Sequence, residues 1–112
     1  MGVRITSAAL GIVAALAGCT EATKAVDEVV RRSAKAAVAE TLTTRFPLVS
    51  KVAVTPFTDC IIDNASGIEI GQFAKAAVVG GDDTTVALIS DILVRPATQQ
   101  CAGKASFAAL AG

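Results

Sequence analysis

The chain has 112 residues, enough for one domain, and its 10 basic and 10 acidic residues leave no net charge. It contains no His, Trp or Tyr, and its aromatic residues are Phe46, Phe57, Phe73 and Phe107. This balance gives no electrostatic reason to expect nucleic-acid binding, and without histidine the usual proton shuttle at physiological pH is missing.

The first element is a leader. Arg4 is the only charge before Glu21, and Ile5 to Ala17 is a run of apolar and small residues. A basic start, an apolar stretch of this length and small residues before a cut form the pattern of a secretory signal. A spanning helix needs about 20 apolar residues, more than this run supplies. The stretch Leu16-Ala17-Gly18-Cys19 resembles the bacterial lipobox. The resemblance implies that the Cys19 thiol receives a diacylglycerol, that residues 1–18 are removed, and that the new amine is acylated. The alternatives are an ordinary cleaved signal with a chance cysteine, and N-myristoylation at Gly2, whose pattern Met1 to Thr6 also fits. Two or more acyl chains anchor a protein stably. Thr20 is not the aspartate that by the lipoprotein sorting rule retains the protein in the inner membrane, so the inner leaflet of the outer membrane is favoured. Removing Arg4 with the leader leaves acidic residues one in excess.

Residues 19–42 carry the lipidated N-terminus and a helix over 21–42. Ala22, Ala25, Val26, Val29, Val30 and Ser33 follow the spacing of one helical face. Asp27 with Arg31 and Glu28 with Arg32 are i,i+4 pairs in the favourable order. This helix is expected to pack on the domain; a stalk leading away from the membrane is the alternative. Residues 43–55 read as an extended connector around Pro47, which a helix interior excludes. Phe46 and Leu48 are candidates to tuck into the core.

The remaining domain, 56–112, reads as short helices. Thr55-Pro56 suits the start of the second helix, Thr as cap and Pro as first residue. Ser66 with Glu69 forms a capping box for the third, whose stripe is Ile70, Phe73, Ala74, Ala77 and Val78. Gly80-Gly81 stops it. Asp82 or Asp83 caps a fourth helix over 84–94, apolar nearly all round and therefore expected to be the most buried; its β-branched content keeps a strand as the alternative. Arg95-Pro96 opens a short fifth helix carrying Cys101, and Phe107 and Leu110 in the tail either dock or fray.

A core of Ala, Val, Ile and Leu in so short a chain is marginal, and a staple would help. With Cys19 acylated, Cys60 and Cys101 remain, and export makes a disulfide between them the default. Closing a loop of about 40 residues contributes roughly 4 kcal/mol by chain entropy, less any strain. A redox-active or metal-ligating pair is the alternative, though a redox pair usually sits as CxxC. The expected fold is all-α: a compact bundle of four or five short helices stapled by one disulfide and preceded by a cleaved signal peptide.

For chemistry, Asp59 and Asp63 sit at i,i+4 and could hold a cation or divide acid and base roles. The plainer reading puts Asp59 in a favoured first-turn position and Asp63 near the helix end. Asp82-Asp83 reads as a cap and a loop charge. The sequence carries no nucleotide-binding glycine motif, nucleophile elbow or calcium loop. No catalytic, cofactor-binding or metal residue is therefore assigned, and no cofactor is expected.

From Arg45 onward the chain resembles a group of small lipoproteins of Gram-negative bacteria, through Arg45-Phe46-Pro47, Thr58 to Ser66, and Arg95-Pro96 with Thr98 and Cys101. Some members carry a succinate dehydrogenase name. That oxidoreductase reading finds no flavin motif here, no His for flavin or haem, and too few Cys for an iron–sulfur cluster. Thr58-Asp59-Cys60, Phe73-Ala74 and Gln100-Cys101 with Lys104 to Phe107 resemble small periplasmic acid-stress chaperones of the HdeA type, which are helical and stapled by one disulfide. The lipid anchor is a departure from them and limits diffusion to unfolded clients. The leading expectation is a non-catalytic binding or structural module of the cell envelope, facing the periplasm, with membrane lipid and another envelope protein as partners. A stress chaperone and an oxidoreductase are the alternatives.

Overall fold

The computed structural model describes the backbone of residues 26–111 and the side chains of residues 26–106. The leader and Cys19 lie outside the described residues, as do the side chains of Phe107 and Leu110. The described chain is all-α. Helix α1 occupies residues 26–45, followed by α2 (Lys51–Asp63), α3 (Gly67–Val79), α4 (Asp83–Leu93) and α5 (Pro96–Ala111). No strand occurs among the described residues, so the strand alternative for 84–94 is not realised.

Helix α1 packs on the domain, but along a later stretch than its apolar spacing predicts. Val26 and Val29 are exposed, whereas Ala34, Ala37, Val38, Thr41 and Leu42 are buried. Small alanines let the backbone approach its neighbours closely, so burial concentrates where the helix lies against α2 and the α3–α4 turn. The helix also outlasts residue 42. Thr41, Thr43 and Thr44 turn their hydroxyls back onto the carbonyls of Ala37, Ala39 and Glu40, which satisfies these β-branched residues inside a helix. It ends just before Phe46, the residue that Pro47 pushes out of helical conformation.

The extended connector expected over 43–55 shrinks to residues 46–50. Helix α2 starts at Lys51 after an N-cap at Ser50, not at Thr55, and Pro56 lies inside it. Pro56 is the sixth residue of α2, so its missing N–H removes one backbone bond from the second turn. The carbonyl it leaves without a helical donor belongs to Val52, which is exposed to water. Phe46 packs against the core, whereas Leu48 is 99% exposed.

The capping box of α3 forms as expected: Ser66 Oγ accepts from Glu69 N–H at 3.2 Å, and Glu69 Oε1 accepts from Ser66 N–H at 2.8 Å. The buried face is Ile70, Phe73 and Ala76, while Ala77 and Val78 point outward. This face is turned from the expected stripe toward the side of Glu69, where Arg95 docks. Gly80 ends the helix at φ 93°, and the next residue, Gly81, passes so close to α1 that an added Cβ would lie 3.2 Å from Thr41 Oγ1.

Asp82 caps α4, its Oδ1 accepting from the N–H groups of Thr84 and Thr85. Helix α4 is amphipathic, with Thr85, Ile89 and Ile92 buried and Ala87, Ser90 and Val94 exposed. It is therefore not the most buried helix. That place belongs to α2, which buries Ala53, Thr58, Cys60, Ile61 and Ile62. Pro96 opens α5 at its first position, where a missing N–H costs nothing. The core joins Val38 and Leu42, Ile61 and Ile62, Ile70 and Phe73, and Ile89 and Ile92 from four helices.

Candidate functional site

Cys60 and Cys101 are joined by a disulfide with Cα atoms 5.6 Å apart, and it links α2 to α5. It spans 41 residues and fastens the last helix to the most buried one. Cys60 is buried and Cys101 half-buried. Thr58 and Thr98 flank the staple, one on each helix, and their hydroxyls are buried without a hydrogen-bond partner among the described residues.

Asp59 and Asp63, the paired carboxylates of α2, face basic residues of α1. Asp59 meets Lys35 at 3.0 Å and Asp63 meets Arg31 at 3.2 Å. Both pairs use i,i+4 positions on both helices, so α1 and α2 run antiparallel with a two-rung ladder on their solvent side. Arg31 thus reaches across to α2 rather than along its own helix to Asp27. Among the described residues no three His, Cys, Asp or Glu side chains gather where they could hold a metal ion. Asp83 pairs with Arg45, tying the α3–α4 turn to the end of α1. Asp82 is held below the usual carboxylate range by the Thr84 hydroxyl and the backbone N–H groups it caps.

A junction that sequence reasoning assembled only in pieces centres on Arg95. Its guanidinium donates to Glu69 at 2.9 and 2.7 Å, to Asp91 at 3.0 Å and to the Asn64 carbonyl at 2.9 Å. It thereby fastens the end of α2, the start of α3 and the end of α4. Arg95 lowers the Glu69 carboxyl to about 2, helped by the Ser66 N–H and against the opposing effect of burial. Glu69 and Asp91 in turn raise the pKa of Arg95. The Ser66–Glu69 box is readable in sequence, and Asp91 and Arg95 stand at i,i+4 spacing, but the meeting of the two depends on how α3 and α4 dock.

The ends of the bundle differ in what they present. A groove of about 280 Å³ lies between the end of α3 and the start of α4, with Phe73, Val79 and Leu88 as apolar lining and Lys75 and Asp82 as charged lining. Leu48, Val52, Val78 and Val79 are exposed at this end. Val26, Val29, Ile68 and Val94 are exposed at the other. No described helix is long and apolar enough to cross a membrane.

No known protein family, characterised protein or solved structure matches this chain.

Proposed function

We propose that this chain is a lipid-anchored module of the bacterial cell envelope, held in the membrane through acylated Cys19 and acting by binding or support rather than catalysis. The observation that carries the reading is the leader with its single early cation, its apolar run and its close at Leu16-Ala17-Gly18-Cys19. The module faces the periplasm, and Thr20 favours the inner leaflet of the outer membrane. The disulfide-stapled bundle suits an oxidising compartment. Asp59 and Asp63, the acidic pair that could have served acid–base chemistry, are engaged by Lys35 and Arg31, which supports a structural role for them. The partner beyond lipid is another envelope protein.

The experiment is Cys19→Ser in cells fed a labelled fatty acid. The variant should lose lipid labelling and lipoprotein-specific cleavage; an unchanged mature mass overturns the anchor. In-cell crosslinking of the wild type should then yield a specific envelope protein, and its absence across growth conditions counts against the binding role.

A second reading, an acid-stress chaperone, is favoured by one observation. The junction that joins α3 to the ends of α2 and α4 depends on the Glu69 carboxylate, whose pKa Arg95 holds at about 2. Its protonation would loosen that junction and uncover the aliphatic core. This reading predicts apolar dye binding and suppression of client aggregation at low pH, and a flat response in both removes it.

A further inference from the structure

We propose that the end of the bundle carrying Val26, Val29, Ile68 and Val94 is a membrane-seating face that rests against the lipid interface beside the anchor. The inference rests on the reading of Cys19 as lipidated. The antiparallel pairs Arg31–Asp63 and Lys35–Asp59 place the start of α1 beside the end of α2. Helix α3 opens at Gly67, directly after the link that follows α2. Arg95 brings the end of α4 to the same place through Asn64 and Glu69. With α5 opening at Pro96, directly after Arg95, five helix ends meet there, and three of them leave large aliphatic side chains in water: Val26 and Val29 from α1, Ile68 from α3 (79% exposed) and Val94 at the end of α4 (67% exposed).

What covers this end is fixed by the chain that leads to it. Six residues, 20–25, stand between Cys19 and Val26, and a chain of that length reaches no more than about 25 Å even fully extended. With acyl chains in the bilayer, the start of α1 stays within that distance of the lipid. A tether of this length makes the second contact intramolecular, at an effective concentration of millimolar order. An aliphatic patch too small to bind a membrane alone is then occupied most of the time. The opposite end, with Leu48, Val52, Val78 and Val79, lies the length of α1 away, about 30 Å at 1.5 Å per residue, beyond the reach of the tether in an inverted bundle.

The charges at the seating end decide the kind of contact. Arg31 is paired with Asp63, and Arg95 with Glu69 and Asp91, so they form no basic patch toward anionic headgroups. Asp27, Glu28 and Arg32 are exposed on the first turns of α1, two acids against one base, so the exposed charges there form no basic patch either. Seating is therefore aliphatic, insensitive to salt and not enhanced by anionic lipid.

The chain has no Trp, so one introduced Trp is a unique reporter. The test uses the full lipidated protein in vesicles of phosphatidylethanolamine and phosphatidylcholine, with or without brominated acyl chains. Ile68→Trp and Val94→Trp are compared with Val79→Trp at the far end. All three sites are exposed, so the new ring displaces no packed neighbour. The expected result is a blue-shifted emission and a severalfold loss of it on brominated chains for Ile68→Trp and Val94→Trp. Val79→Trp should remain in water, and molar salt should change none of these. If the protein floats with the vesicles but all three sites emit as in water, the anchor stands and the seating face falls. Equal quenching at all three sites means that the bundle lies flat, which also overturns the proposal. If the wild type carries no lipid mass and does not float, the anchor and the seating face fall together.

Discussion

Arg95 meets Glu69 through two parallel N–H···O bonds, Nη1 to Oε1 at 2.9 Å and Nη2 to Oε2 at 2.7 Å. Glu69 is also the acidic half of the capping box that starts α3. One carboxylate thus begins α3 and receives the side chain that joins it to the ends of α2 and α4. Its side chain is 15% exposed against 36% for Arg95, so the pair is shielded from solvent more than an ordinary surface ion pair. Paired guanidinium–carboxylate bonds of this geometry are among the stronger polar contacts in proteins.

The first prediction concerns acid. Glu69 has a folded pKa of about 2 against an ordinary value of 4.5. A carboxyl whose folded pKa is depressed contributes stability that is fully present above the unfolded value and disappears as pH falls toward the folded one. The wild type should therefore lose stability as pH drops from about 5 to about 2, whereas Glu69→Gln should be flatter over that window. At neutral pH Glu69→Gln should cost about 1.5–3 kcal/mol, the range for hydrogen bonds to charged groups. Urea unfolding at a series of pH values checks both, and a constant gap between the two proteins across the window would remove Glu69 as the source of the acid sensitivity.

Much of this junction was legible in sequence, but only locally. Ser66 and Glu69 show their capping box by spacing, Asp82 announces α4, and Gly80 marks the end of α3, because each signal lies within a few residues of its effect. The Cys60–Cys101 bond was legible by elimination once Cys19 was assigned to lipid. What could not be read are relations between helices. The Asp59–Asp63 spacing was visible, but its partners Arg31 and Lys35 follow only once α1 is known to run antiparallel to α2. Helix α4 looked uniformly apolar, yet its burial depends on which side the core takes, leaving Ala87 and Val94 in water. Lys51 to Thr55 looked extended because Pro56 suggested a helix start; the helix instead begins at Lys51 and takes Pro56 into its second turn, where the residue that loses its donor, Val52, is exposed to water.

The ladder between α1 and α2 gives a second prediction. The four side chains are 43–60% exposed, and exposed pairs contribute about 0.2–1 kcal/mol each. Lys35→Glu should destabilise, and Lys35→Glu with Asp59→Lys should recover part of the loss. The coupling from this double-mutant cycle should be about 0.5 kcal/mol in dilute buffer and should vanish in molar salt. A coupling that survives high salt would mean that the residues interact by packing rather than by charge.

Glycines of α3 supply a third. Gly71 lies inside the helix with open space where a Cβ would stand, and Gly80 lies at φ 93°, ψ 144°, a region that side chains avoid. Gly71→Ala should stabilise by about 0.5–1 kcal/mol through helix propensity. Gly80→Ala should destabilise by about 1–3 kcal/mol through backbone strain. Thermal melts of the two variants should move in opposite directions. A shared direction would place the end of α3 elsewhere than at Gly80.

Thr58 and Thr98 carry the fourth prediction, which runs against the usual expectation for core substitutions. Both hydroxyls are buried without a partner among the described residues, and Thr98 is entirely out of solvent. Folding strips water from each hydroxyl and returns no hydrogen bond, a cost of about 1–3 kcal/mol in protein mutational data. Valine keeps the branched shape and removes the group that suffers this loss. Thr98→Val should therefore stabilise the bundle by about 1 kcal/mol, and Thr58→Val should do the same. The two sites sit on α2 and α5, each near one end of the disulfide. Measuring both variants in the oxidised protein keeps the staple constant, so that the melting shift reports the hydroxyl alone. Destabilisation by either valine would show that the hydroxyl has a partner in solution, a bound water or a helical carbonyl, and would count against a dry α2–α5 interface.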